Sequence, residues 1–181
     1  DNFGIFKSTD YNSIQNKTLP NLEGNIRYQS GNNSLSLQYN YQTSLASSSQ
    51  VLPILDETDP LDVYKGNPDL DPNKAHNINL MFSNFDRKTR QGFNTFLSYT
   101  YNESSIVNFT DMDYISYKRT TTYENIKGNY RLSGNFSFNK QYQKGVNKFR
   151  LNIGISANYG LTQGFRDGEK YEQFSTNLVP N

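Results

Sequence analysis

The sequence has no cysteine, only one histidine and no long apolar run. The missing cysteine excludes a disulfide scaffold, thiolate zinc sites and cysteine nucleophiles. His76 alone leaves no histidine-rich metal site and a single candidate imidazole base. The longest apolar run, Val51 to Leu55, is interrupted by Pro53, whereas a membrane helix needs about 20 apolar residues. These absences exclude a helical membrane span and a disulfide-stabilised domain.

The net charge and the mean hydropathy further limit which classes of protein the chain can belong to. The formal net charge is +1, from 18 basic and 17 acidic residues, without basic clusters, which argues against nucleic acid as a partner. The mean hydropathy of −0.83 is low enough for a disordered chain, but disordered chains are poor in aromatic residues. Because this chain carries 14 Tyr and 12 Phe, we expect it to fold.

Apolar and polar residues alternate with a period of two, which is typical of a strand with unlike faces. The clearest example runs from Lys148 to Leu161. Its apolar positions are Phe149, Leu151, Ile153, Ile155, Ala157, Tyr159 and Leu161. At fourteen residues it is longer than the usual soluble strand of about 5–6 residues.

The same alternation predicts an all-β protein of six strands in an antiparallel meander. The predicted strands span about 21–30, 34–45, 75–85, 92–108, 114–139 and 146–162, the fifth bending near Gly128. Short polar turns alternate with predicted long loops at 46–73, 109–113 and 163–181. Outer-membrane barrels have this arrangement, with their short turns in the periplasm. The sequence therefore predicts one partial transmembrane β-barrel domain over residues 1–181, located in the bacterial outer membrane.

Alternation alone also fits a soluble β-sandwich, so the alternative of a soluble all-β adhesin or binding module stays open. Strand length favours the membrane, since about 9–11 residues cross a bilayer at a tilt. The polar faces are rich in Asn, Gln and Ser, which suits a hydrated interior. Aromatic residues near strand ends on the apolar face predict an interfacial girdle. Its members are Tyr28, Tyr39, Tyr41, Tyr99, Tyr101 and Tyr159.

Six strands are too few to close a membrane barrel. Bacterial barrels begin at about eight strands, and unpaired strand edges cannot face lipid. We therefore expect the chain to be a portion of a larger barrel.

Several strings of residues resemble a known family. They are Leu19-Pro20-Asn21-Leu22, Gly31-Asn32-Asn33-Ser34-Leu35, Gly66-Asn67-Pro68-Asp69-Leu70-Asp71-Pro72 followed by His76-Asn77, Thr122-Tyr123-Glu124-Asn125-Ile126, and Tyr130-Arg131-Leu132-Ser133-Gly134. Over residues 19 to 165 this succession resembles the C-terminal barrel region of the Bacteroidota outer-membrane β-barrel family, whose members are related to TonB-dependent receptors.

The resemblance implies a barrel of about 22 strands with an N-terminal plug that imports a ligand with energy from TonB. The plug and the segment that contacts TonB have no counterpart in this sequence. The alternative is a structural or accessory barrel that holds a surface lipoprotein without transport. The implied partners are outer-membrane lipid and lipopolysaccharide, TonB through a plug, and a surface lipoprotein.

The sequence offers few residues for chemistry. A carboxylate cluster, Asp56, Glu57, Asp59 and Asp62, is a weak calcium candidate, since Ca²⁺ prefers oxygen ligands; the alternative is a solvated loop. Basic residues at the polar positions of the alternating pattern predict basic groups that face the lumen. They are Arg27, Arg131, Lys148 and Arg150. His76 lies on the apolar parity, where a structural role is expected. With no nucleotide-binding or nucleophile motif, we predict no enzymatic activity and no cofactor.

Overall fold

The computed structural model describes residues 19–180, and the remaining 1–18 and 181 of the predicted domain lie outside this range. The described elements are β1 (Leu22–Ser30), β2 (Asn33–Ser44), α1 (Ser48–Val51), β3 (Leu55–Asp59), β4 (Asp62–Lys65), β5 (Asn73–Asp86), β6 (Gln91–Asp113), β7 (Lys118–Ile126), β8 (Asn129–Lys144), β9 (Asn147–Arg166) and β10 (Glu169–Pro180). The fold is all-β, with ten strands in place of the six predicted.

Seven strands form an antiparallel meander in the order β1-β2-β5-β6-β8-β9-β10. The short turns at 31–32, 87–90 and 145–146 lie together at one end of the sheet, which we call the turn end. Residues 45–72, the tip at 114–117 and the turn at 167–168 lie at the opposite end, the loop end. Short and long connections therefore alternate between the two ends, as the sequence pattern predicted.

The predicted strand at 114–139 is two strands that face β6 in one continuous register. Ser105 opposes Ile126 of β7, and Asn102 opposes Asn129 of β8. The ladder is interrupted at Lys127 and Gly128, where Gly128 has a φ of 91° that favours glycine. The predicted bend therefore lies at the expected glycine, while residues 114–117 form a turn and β8 continues to Lys144.

Two predicted loops are wrong because they contain strands. Residues 109–113 continue β6 to Asp113, and the predicted loop at 46–73 contains α1 and the β3–β4 hairpin. β4 pairs in parallel with the edge of β7. We call residues 45–72, β7 and the part of β6 beyond Asn102 the loop layer. β3 pairs only with β4, and β4 is anchored by its pairing with the distant edge of β7, so neither short strand needs a period of two in its own sequence.

The predicted loop at 163–181 is also wrong, since β9 extends to Arg166 and β10 follows as the last described strand. The connection is the two-residue turn Asp167–Gly168, in which both φ angles are positive, at 50° and 76°. Asp-Gly is a strong hairpin signal because such turns require positive φ at both central positions. This dipeptide could have identified β10 from the sequence.

The buried core lies in the loop layer and not between sheets. Its buried apolar side chains are Val63, Leu70 and Ile126. The meander has no second layer among residues 19–180, so apolar side chains such as Ile26 and Phe149 remain 66% and 62% exposed. The described sheet is not closed, because β1 and β10 each pair on one side only. Among the same residues, no helix is long and apolar enough to span a membrane.

Candidate functional site

One face of the meander is apolar across all seven strands. Residues opposed on neighbouring strands share a face, so the register defines rows that cross the sheet. The central row contains Ile26, Leu37, Leu80, Leu97, Gly134, Ala157 and Leu178. The alternation of each strand is therefore in phase with that of its neighbours, which produces one continuous apolar surface. We call it the apolar face and its reverse the polar face.

Five of the six predicted girdle tyrosines lie together at the loop end of the apolar face. Tyr41 and Tyr101 share a row, and Tyr39, Tyr99 and Tyr159 share the next row. Tyr130 joins the first row, and its ring centroid is 5.9 Å from that of Tyr159. The prediction missed Tyr130. Tyr130 and Leu132 are two residues apart on one strand and therefore share a face, and this spacing could have identified Tyr130 from the sequence.

His76 lies in the centre of this tyrosine band. Its Nδ1 is 2.9 Å from the hydroxyl of Tyr39, and its ring centroid is 4.7 Å from that of Tyr41. Its Nε2 is 3.6 Å from a carboxylate oxygen of Glu103, which also pairs with Lys74 at 3.4 Å. The ring is held on both sides by aromatic and polar neighbours, which suits the structural role expected from the sequence.

The sixth predicted tyrosine, Tyr28, lies apart from the other five. It shares a row with Leu35 and Phe82, closer to the turn end. A second aromatic band occupies that end of the apolar face. Its members are Tyr28, Phe82, Phe93, Phe136, Phe138, Tyr142 and Phe149, with ring-centroid distances from 5.3 to 6.4 Å between contacting pairs. The apolar face thus has an aliphatic middle between two aromatic bands.

The polar face is bridged by side-chain hydrogen bonds across neighbouring strands. Ser98 donates to Asn79 at 2.8 Å, Thr100 to Asn77 at 2.9 Å, and Asn135 to Ser156 at 2.9 Å. The face also carries a few apolar side chains, namely the cross-strand pair Met81 and Phe96, together with Phe85 and Val179. Such a face is suited to contact with water rather than with a hydrophobic core.

The four predicted basic residues all lie on the polar face but are not close together. Arg27 lies opposite Ser36 on β2, and Arg131 lies in the loop-end half opposite Thr100. Lys148 and Arg150 lie opposite glutamines of β8 at the turn end. The structure therefore brings only the last two into one neighbourhood.

Charge is distributed unevenly along the strands. Among residues 19–180, the turn end carries one carboxylate, Asp86, and all others lie toward the loop end or in the loop layer. Asp86 accepts hydrogen bonds from the Lys88 amide and the Thr89 hydroxyl, both at 2.8 Å. The basic residues at the turn end are Arg87, Lys88, Arg90, Lys140, Lys144, Lys148 and Arg150. The molecule is thus strongly positive at one end of the sheet.

Two of the sequence strings that carried the family resemblance, those beginning at Gly66 and Thr122, contact each other in the loop layer. The side-chain amide of Asn67 donates to the carbonyl of Tyr123 at 2.8 Å. Asn125 closes a two-way bridge with Asp71, accepting from its N–H at 2.7 Å and donating to its carbonyl at 2.9 Å. Leu70, between these clamps, is only 2% exposed. The Gly-Asn-Pro-Asp-Leu-Asp-Pro string therefore attaches the long loop to β7.

The weak calcium candidate is not assembled into a cation site. Asp56 accepts from the Thr58 hydroxyl, which lowers the pKa of the Asp56 carboxyl. The hydrogen bond from Arg119 likewise lowers the pKa of Asp62, with Nε 3.0 Å from Oδ1. Glu57 pairs with Lys118 at 3.4 Å, and Asp59 accepts from the Leu61 amide. In the described part of the chain no three His, Cys, Asp or Glu side chains converge as metal ligands.

The loop layer contains an open cavity of about 350 Å³. Its wall combines the aromatic rings of Tyr64 and Tyr123 with Asp56 and Lys65. This volume is at the small end of the range of ligand pockets, about 300–1,000 Å³. The cavity gives the loop layer a concave surface with both aromatic and charged groups.

Gly66, at the rim of this cavity, has no room for a side chain. A Cβ there would clash with the Leu52 carbonyl group, reaching 2.7 Å from its carbon. We expect Gly66→Ala to push segment 50–52 away and to weaken the loop layer by about 1–3 kcal/mol. Limited proteolysis of the full-length protein should then cleave within 45–72 faster. Gly24→Ala, which has open space, is the matched control, and equal cleavage of the two variants would contradict the expectation.

A family model described as "Outer membrane protein beta-barrel family" matches residues 6–179 of the chain. No curated protein and no solved structure matches the chain.

Proposed function

The chain belongs to the outer membrane protein beta-barrel family, and from this premise we propose that it forms part of the wall and the outer loops of a TonB-dependent receptor-like barrel that takes up a ligand. The protein lies in the bacterial outer membrane, so the alternative of a soluble module is set aside. The proposal assigns the chain no catalytic step and no cofactor.

The observation that carries the proposal is the continuous apolar face with an aliphatic middle and two aromatic bands. Outer-membrane barrels present a lipid-facing apolar band about 25 Å tall, flanked by aromatic girdles. The band from the row of His76 to the row of Asn84 covers nine residues of β5. A strand tilted by about 45° needs about 9–11 residues to cross the hydrocarbon core, so the band is at the lower end of the required length.

Two further features support a large barrel with a ligand path. Among residues 19–180 the outer edges of β1 and β10 are unpaired, and because such edges cannot face lipid, they support the proposal of a larger barrel, of about 22 strands. The polar face then borders the lumen, placing Arg27, Arg131, Lys148 and Arg150 inside. Since short turns are periplasmic in such barrels, the loop layer and its cavity face the cell exterior.

The experiment that separates uptake from an accessory role uses the full-length protein of the bacterium that encodes this chain. The probe is the purified periplasmic domain of TonB from the same bacterium, with binding measured by calorimetry. We expect saturable binding, as for a receptor whose plug presents a TonB-contacting segment. A porin from the same membrane is the negative control. Absence of binding, together with stoichiometric copurification of a surface lipoprotein, would favour the accessory barrel instead.

A further inference from the structure

We propose that the turn end carries a binding site for the headgroup of an anionic phospholipid. The site is a cleft of about 660 Å³ between the turns at 87–90 and 145–146. Lys88, Arg90 and Lys140 line it, together with the hydroxyl of Thr89 and the amides of Gln141 and Gln143. The proposal rests on the orientation proposed above, in which the turn end meets the periplasmic leaflet.

Only one carboxylate, Asp86, lies near the positive charge of the cleft, where it attracts Lys88. Among residues 19–180, none of its three cations lies within 4.0 Å of a carboxylate as an ion pair. The nearest acidic residue in sequence, Asp86, already accepts from Thr89 and from the Lys88 backbone. Three cations with a single carboxylate nearby, beside a hydroxyl and amides, are suited to a phosphate group, which needs both positive charge and hydrogen-bond donors.

The two turns that form the cleft are fixed to each other. The Gln141 amide donates to the Arg90 carbonyl at 3.0 Å, and the Arg90 guanidinium donates to the Gln143 side chain. Lys140 is positioned as well, with Nζ 3.2 Å from Oε1 of Gln91 and 5.1 Å from the ring centroid of Tyr142. The cleft is therefore a preformed arrangement, which reduces the entropy lost on binding.

The surroundings select a lipid over a free anion or an acidic peptide. Gln141 and Gln143 are on the polar face, whereas Lys140 is on the apolar face, opposite Leu151 and two residues along β8 from Phe138, so the cleft lies at the rim where the two faces meet. Phe93 and Ile153 oppose Phe138 on either side, so an apolar surface begins directly beside the cations. A phospholipid matches both parts, because its phosphate reaches the cleft while its acyl chains follow the apolar face. Lysine at this level extends its amine to the headgroups and leaves its stem along apolar surface.

The test is native mass spectrometry of the full-length protein in detergent with added phosphatidylglycerol or the zwitterionic phosphatidylethanolamine. We expect preferential retention of phosphatidylglycerol. The triple variant Lys88→Gln, Arg90→Gln, Lys140→Gln should weaken that retention by at least about tenfold, since each cation contributes to the attraction of anionic headgroups. The matched control removes three lysines toward the loop end, by Lys65→Gln, Lys127→Gln and Lys170→Gln, and should retain the lipid.

Three results would overturn the site: equal retention of the two lipids, an unchanged triple variant, or displacement of phosphatidylglycerol by millimolar inorganic phosphate. The last would identify a site for small anions. The measurement does not involve TonB or an imported ligand. Failure of the uptake proposal would therefore leave this result unaffected, and the reverse also holds.

Discussion

Replacing Leu97 with arginine should lower the free energy of unfolding of the bilayer-inserted full-length protein by about 2–4 kcal/mol. Leu97 belongs to the central row of the apolar face, between the tyrosine band at the loop end and the aromatic band at the turn end. It is therefore at the level where lipid is driest. An arginine at this position has its charge in hydrocarbon. The free-energy cost of such a charge decreases to about 0–1 kcal/mol only near the membrane interfaces.

The matched control is Ser133→Arg, which adds the same side chain at almost the same depth. Ser133 opposes Ser98 on the polar face, one residue along from the pair formed by Leu97 and Gly134. We expect a change of less than about 1 kcal/mol, because the charge would point into hydrated space. Denaturant titration in lipid vesicles, followed by tyrosine fluorescence, measures both variants. If the two arginines cost the same, the assignment of the faces to lipid and lumen would be wrong.

Replacing Leu70 with alanine should have the second large effect, about 3 kcal/mol, confined to the loop layer. Leu70 is 2% exposed and lies between the hydrogen-bonded clamps formed by Asn67 and Asn125. Removing a buried leucine side chain loses its transfer free energy and leaves a cavity, which together cost 2–5 kcal/mol. The lost contacts hold the long loop against β7, so the loop layer should open more often.

Hydrogen exchange of the full-length protein measures that opening residue by residue. Amides of β4 and β7 should exchange about a hundredfold faster in Leu70→Ala, while those in the middle of β8 and β9 stay unchanged. Leu61→Ala is the control, since Leu61 is 56% exposed in the same loop. Uniform acceleration over the whole sheet would show instead that the loop layer and the wall unfold as one unit.

The sequence predicted the wall better than the loop layer, for a physical reason. Strands that alternate against lipid and water, such as β2 and β9, carry their two faces in their own residues. β4 instead pairs with the edge of β7, which lies 57 residues further along at the pair of Asp62 and Arg119, and β3 pairs only with β4. No local pattern encodes such pairing. β10 is different, because the Asp167–Gly168 dipeptide is a local signal for the hairpin that β10 forms with β9.

The candidate site shows the same difference between what a single strand determines and what the pairing of strands determines. The alternation within each strand assigned one group of tyrosines to the apolar face, because alternation is a property of each strand alone. The group is Tyr39, Tyr41, Tyr99, Tyr101 and Tyr159. Alternation could not show that Tyr28 belongs to the opposite band, because height in the sheet depends on the register between strands. The basic cleft was missed for a similar reason. Lys88, Arg90 and Lys140 become neighbours only when β5, β6 and β8 are aligned.

The parallel pairing of β4 with β7 also constrains the order in which the protein assembles. β4 pairs with the edge of β7, so it must wait until β6 and β7 have formed their hairpin. Contacts of high sequence separation carry a larger loop-closure entropy and form late. The long loop is therefore synthesised before its docking edge exists, and it attaches only after that hairpin has formed. Docking of the long loop thus reports that β6 and β7 are paired.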